Sequence, residues 1–120
     1  MKNYNLQKSP FIVPTTDGKL IEEHFGLAAN GNKEISLAYM EAPSGWSEPF
    51  QTPQFDEYTF TIEGKKQIEV DGETIILEAG QSIKINKGAR VRYSNPFEFP
   101  CRYIAVCTPA FSIETVNRES

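Results

Sequence analysis

Paired turn residues punctuate the 120-residue chain at short intervals. Asp17-Gly18, Asn30-Gly31, Asp71-Gly72, Ala79-Gly80, Lys87-Gly88 and Asn95-Pro96 each separate runs that read as strands. The clearest is Asp71-Gly72, between the alternating runs Gln67–Val70 and Glu73–Leu77. That dipeptide tolerates the positive φ angles of a two-residue hairpin turn. No helical period is sustained before residue 112. Roughly eight or nine short strands at close spacing predict an all-β domain, an antiparallel sandwich or closed barrel.

Taken in order, Phe11-Ile-Val-Pro reads as a short edge strand, because Pro14 has no N–H for a ladder. Lys19 to Phe25 returns, and Glu34 to Glu41 follows with Ile35, Leu37 and Tyr39 on one face. Ala42 to Gln54 is too rich in Pro, Gly and Ser for a regular element and reads as a long ordered loop. Strands are expected at Glu57–Ile62, at the two arms of the hairpin, at Ser82–Ile85 and at Arg90–Tyr93. Cys101 to Cys107 is apolar enough for a strand buried on both faces. Beyond Pro109, Ser112 can cap a short C-terminal helix, with Glu114 in its first turn.

The length suits one domain over residues 1–120, with one core. Twelve basic against sixteen acidic residues give a net charge of −4 without a basic cluster, which argues against nucleic acid or an anionic membrane as partner. Met1 to Lys8 is polar, unlike a signal peptide, and no run approaches the roughly 18 apolar residues of a membrane span. The expectation is a cytoplasmic protein. Cys101 and Cys107 lie six steps apart in one run. At about 3.3 Å per step a strand separates them by roughly 20 Å. A disulfide needs Cα atoms closer than about 7 Å, so the pair is expected to stay reduced.

The stretch Pro43 to Gly64 is a Gly/Pro-punctuated approach followed by a strand that begins near an acid, Glu57, and ends at Gly64. Gly45, Glu57 and Gly64 fall on the spacing of the first cupin motif: Gly, five residues, His-x-His, three residues, Glu, six residues, Gly. Gly80, Gly88 and Asn95 fall on the second: Gly, five residues, Pro-x-Gly, two residues, His, three residues, Asn. The chain thus resembles small single-domain bacterial cupins of an uncharacterised group. The resemblance implies a cupin-type jelly roll with a ligand site in the barrel mouth, and a homodimer. The strand edges of an open sheet give dimerisation a physical motive.

The histidine places of the two motifs are held by Gln51, Pro53 and Val91, so of the usual three-His, one-Glu metal set only Glu57 remains. One carboxylate and one neutral amide are a poor set for a borderline divalent ion. No cofactor is expected. A divalent metal would need His24, Glu22, Glu41, Asp56 or Tyr93 turned inward.

Glu57 is the leading site candidate, as general base or as anchor for a polar ligand; the alternative is a surface acid. Gln51 and Gln54 offer amides to a neutral ligand, or only solvate the loop. Alternation puts Val91 and Tyr93 on one strand face and Arg90 and Arg92 on the other. Tyr93 then meets Glu57, or is a core tyrosine bonded to a carbonyl. His24 is the only imidazole, so a proton shuttle near neutral pH would use it or a carboxyl of raised pKa. Trp46 and Phe50 wall the cavity or pin the loop. The function expected first is binding of a small polar molecule. The alternative is a cupin-type isomerase or lyase with Glu57, Tyr93 and His24 as acid and base. A dioxygenase would need a redox metal. A plugged mouth would leave a structural interaction module.

Overall fold

The computed structural model describes residues 2–120. Nine strands and one helical turn follow in chain order. They are β1 (Phe11–Ile12), β2 (Leu20–Phe25), α1 (Leu27–Asn30), β3 (Ser36–Ala42), β4 (Asp56–Glu63), β5 (Lys65–Val70), β6 (Glu73–Glu78), β7 (Ser82–Ile85), β8 (Val91–Ser94) and β9 (Cys101–Thr108). Six form one antiparallel sheet in the order β1-β2-β3-β9-β4-β7, and three form a second in the order β6-β5-β8. The two sheets face each other as a sandwich. Ile68, Leu77, Val91 and Tyr93 from the small sheet pack on Ala42, Ile85, Cys101 and Tyr103 from the large one.

The turn chemistry accounts for the connections. Asp71 and Gly72 both have positive φ, 45° and 86°, as a tight hairpin between β5 and β6 requires. Gly64, which ends β4, has φ 80°, and a Cβ there would lie 2.5 Å from the Pro100 carbonyl oxygen. Only glycine allows the two backbones to come so close.

Two expectations need correcting. The C-terminal helix is a single turn. Ser112 Oγ accepts the Glu114 N–H at 3.1 Å, as a cap should, but the chain leaves at Asn117, with φ 53°, and Arg118 bridges to Gln51. Backbone pairing with the loop outcompetes propensity in so short a segment. The strand β9 is buried on one face only: Cys101, Tyr103, Ala105 and Cys107 point inward, Arg102 is exposed, and Ile104 and Val106 are half-buried. On β3 the expected alternation holds: Leu37 and Tyr39 share a face, the outer one, and Ser36, Ala38 and Ala42 are the buried residues. Both thiols are buried and free.

The loop from residue 43 to 55 runs alongside β8 as an irregular extra strand. Gln51 and Val91 exchange backbone hydrogen bonds of 2.9 and 2.8 Å, and the Glu48 N–H reaches the Tyr93 carbonyl at 3.4 Å. Asn95 holds the loop's start. It is fully buried, and its amide donates to the carbonyls of Ala42, Pro43 and Phe99 at 3.1, 3.2 and 2.9 Å. Its Oδ1 accepts the Phe97 N–H at 3.1 Å.

Candidate functional site

The large sheet presents three cross-strand rows to the interior. They are Ser36–Cys107–Glu57, Ala38–Ala105–Thr59 and Met40–Tyr103–Thr61. The middle row is small. Two alanines and a threonine between bulkier rows cannot fill the space beneath them. A cavity of about 100 Å³ lies there, lined by residues of these rows together with Lys19, Glu23, Glu48, Gln51, Lys66, Tyr93 and Arg118. That is several times the room one water molecule requires.

Each polar group reaches the cavity by simple strand logic. Lys66 and Ile68 alternate on the inner face of β5, both buried. Tyr93 shares the inner face of β8 with Val91, and the outward Arg92 and Arg90 pair with Glu69 and Glu119. Glu48 and Gln51 are aimed inward by the loop's pairing to β8 and line the cavity. Lys19, at the entry to β2, lies 4.2 Å from the Trp46 ring centroid.

Burial dominates the electrostatics. It lowers the pKa of Lys66 to about 7, with the Lys19 charge acting in the same direction and Glu57 and Glu48 opposing. Lys19 is likewise lowered by burial, against the pull of Glu48 and Glu57. Glu57 is raised by burial, which outweighs the attraction of Lys66. Glu57 and Lys19 keep some accessible surface, and both line the cavity. Tyr93 and Tyr103 are raised well above 10, first by burial and then by the carboxylates. Their hydroxyls have no well-formed hydrogen bond to any described residue. Glu57 is close enough to act on the Tyr93 hydroxyl, but the two are not aligned as donor and acceptor.

Of the residues singled out in the sequence, Glu57, Gln51 and Tyr93 come together at this cavity. Gln51 Oε1 accepts from Arg118 Nε at 3.2 Å. His24 and Gln54 do not line the cavity: Gln54 is exposed, and His24 sits half-buried at an irregularity in the β2 register. Trp46 is buried in the core behind Lys19, and its Nε1 donates to Asp17 at 2.7 Å. Phe50 packs beneath Arg90, 3.8 Å from its ring centroid. The sequence reading missed Lys19, Lys66, Glu48 and Tyr103. For Lys66 a signal existed: it alternates with Ile68 and Val70, which predicts an inward lysine once the strand is begun at residue 65.

The chain belongs to the cupin domain family, whose pattern matches residues 38–107. It is similar to the protein named endoribonuclease YbeY of Myxococcus xanthus, 40% identical over 109 residues, 91% of this chain. The chain spans 37% of that relative's length. Among solved structures it resembles an RmlC-like cupin from Shewanella frigidimarina, with TM-score 0.73, 17% identity and coverage of 92% of this chain and 93% of that one. It also resembles KdgF from a Halomonas species, with TM-score 0.71, 13% identity and coverage of 85% and 88%. At these identities the two structures speak for the fold.

Many cupins hold a metal ion, and the residues here do not fit one. Val91 is fully buried in the core and Pro53 has no donor side chain. The Gln51 amide oxygen is already engaged by Arg118. Among the described residues no group of three or more His, Cys, Asp and Glu side chains converges. Two lysines share the cavity with Glu57, and a nearby ammonium repels a dication. No helix among the described residues is long and apolar enough to cross a membrane.

Proposed function

We propose that the protein binds a small oxygen-rich molecule, a carboxylate or carbonyl compound, in this cavity, with lysines rather than a metal ion as its positive centre. Two phenol hydroxyls support the reading most directly. Tyr93 and Tyr103 are 4% and 1% exposed, line the cavity and make no well-formed hydrogen bond to any described residue, with Glu57 the one carboxylate near the Tyr93 hydroxyl. Buried polar groups are almost always paired, and an orphan costs about 1–3 kcal/mol. Two orphan hydroxyls beside two lysines are a cradle for acceptor oxygens.

The raised carboxyl of Glu57 favours a second reading, acid–base chemistry of lyase or isomerase type on the same ligand, since a raised carboxyl can carry a proton at higher pH. Nucleic acid and membranes are not proposed as partners. The ribonuclease name belongs to a much longer protein, and this chain carries a net charge of −4. A homodimer is proposed through the outer face of the large sheet, where Tyr58, Phe60 and Ile62 are 43–45% exposed.

Thermal-shift titration with small carboxylates, aldehydes and polyols tests the ligand class, on wild type and on Glu57→Gln and Tyr103→Phe. Carboxylates or carbonyl compounds should stabilise wild type and stabilise the Tyr103→Phe variant less. Equal shifts in all three proteins would place binding elsewhere.

A further inference from the structure

The cavity has one group whose chemistry exceeds binding. Lys66 is 2% exposed, yet among the described residues it makes no ion pair and no hydrogen bond through its Nζ. It is held between aromatic faces, 3.5 Å from the Tyr103 centroid and 4.2 Å from that of Tyr93. A lysine kept only to neutralise an acid would form a salt bridge. This one is enclosed by side chains that fix its position and leave its nitrogen uncommitted at the cavity wall.

We propose that Lys66 is a nucleophilic amine that condenses with the carbonyl carbon of a small aldehyde or 2-oxo acid, forming an imine inside the cavity. The inference rests on the binding reading above and adds a covalent step to it.

The step balances within the residues present. The neutral amine adds to the carbonyl carbon, and the C–N bond forms as the carbonyl π bond breaks. A proton passes from nitrogen to oxygen to give the carbinolamine. The Glu57 carboxyl then protonates the departing hydroxyl, which leaves as water. The products are a protonated imine on Lys66, a Glu57 carboxylate and one water. The carboxylate is left beside the new cation it stabilises.

The surroundings favour each stage. Burial, with Lys19, brings the Lys66 amine to about pH 7, so a large fraction is neutral under physiological conditions. Burial raises Glu57 and so favours the protonated form the dehydration requires. Glu48, Cys101 and Lys19 are the other ionisable groups that act on Lys66. Lys19 and the orphan hydroxyl of Tyr103 remain to hold the carboxylate of a 2-oxo acid. A cavity of about 100 Å³ restricts the substrate to few heavy atoms.

The test uses the whole chain with pyruvate as probe, trapping the imine with cyanoborohydride and mapping adducts by peptide mass spectrometry. Propanoate, which has the carboxylate without the carbonyl, is the binding control in thermal shift. The expected result is one reduced adduct per chain on Lys66, absent from Lys66→Arg and Lys66→Met, both checked for folding by circular dichroism. Mapping on wild type alone decides the point if the variants misfold. Adducts on exposed lysines such as Lys33 and Lys87 with none on Lys66, while propanoate and pyruvate both stabilise the protein, would overturn the imine and leave the binding site standing. Adduct on Lys19 instead of Lys66 would also overturn it. No adduct together with no thermal shift by either acid would sink both the imine and the binding reading.

Discussion

The Lys66 ammonium lies 3.5 Å from the ring centroid of Tyr103, in the row of the large sheet that also carries Met40 and Thr61. A desolvated contact of this kind is worth about 2 kcal/mol to the charged form. Burial outweighs it here, because the amine still falls to about 7. The cavity thus carries an organic cation that can lose its charge near neutral pH.

That property gives the first prediction, on stability against pH. Lys66 titrates at about 7 in the folded protein and near 10.5 when unfolded. Between those values the unfolded chain holds a proton that the native state has released, so stability rises with pH across the window. The contribution is fully present above 10.5 and is lost as pH falls to about 7. Lys66→Met should remove this slope, while the contribution of Lys19, lowered in the same direction, stays in both proteins. Urea midpoints over the window should diverge between wild type and variant. Parallel curves would show that Lys66 keeps its proton.

A second prediction separates a ligand site from a core. Removing a hydroxyl that is hydrogen-bonded costs about 1 kcal/mol, whereas removing an orphan relieves a penalty. Tyr103→Phe should therefore leave the empty protein equally stable or raise its stability by about 1 kcal/mol. The same change should weaken ligand binding several-fold. Thermal melts with and without ligand read both effects. A destabilised, ligand-insensitive variant would show that the hydroxyl has a structural partner.

The fold was legible because turns and alternation are local. Asp71-Gly72 and Gly64 need backbone angles that few residues supply, so their place in the chain marks the strand ends directly. Of the site, Glu57, Gln51 and Tyr93 could be read from motif spacing and alternation. Lys19 and Tyr103 could not, because their meeting depends on two sheets closing over a row of alanines. Nothing near Ala38 in the sequence marks it as a cavity floor; it becomes one only when register places Ala105 beside it. His24 drew attention as the only imidazole, but residue type is not position, and it lies off the cavity. The C-terminal turn had a working cap, and long-range pairing to Gln51 decided its shape.

The outer face of the large sheet yields a third prediction. Cross-strand rows Leu37–Val106–Tyr58 and Tyr39–Ile104–Phe60 form an apolar surface with Tyr58 and Phe60 nearly half exposed. A second copy would remove that area from water at roughly 25 cal/mol per Å². Light scattering should find a dimer for wild type and a monomer for Phe60→Glu, which would place unpaired charge in the contact. A monomeric wild type would show that this face is solvated or serves another partner.

The last prediction concerns Asn95, which controls the loop that brings Glu48 and Gln51 to the cavity. Its amide satisfies three carbonyls, those of Ala42, Pro43 and Phe99, while its backbone N–H donates to Trp46 and its carbonyl accepts from Gly45. Asn95→Asp has the same shape but no side-chain N–H when ionised. Three carbonyl oxygens would then face a carboxylate in a fully buried place. Leaving buried acceptors unpaired costs about 1–3 kcal/mol, and more where a charge is buried with them. We expect a loss of about 3 kcal/mol at neutral pH, partly recovered in acid, where the protonated side chain regains one donor. The sign follows from the carboxyl's raised affinity for a proton in that setting: the folded state binds the proton more tightly than the unfolded chain, so lowering pH favours folding. Asn95→Ala, which removes the donors without adding charge, should lack the acid recovery. Amide exchange in residues 43–51 should quicken in both variants, because the loop loses its clamp at one end. Unchanged exchange there, with stability lost, would mean that the loop is held by its backbone pairing to β8 and that Asn95 serves only the turn at Phe97.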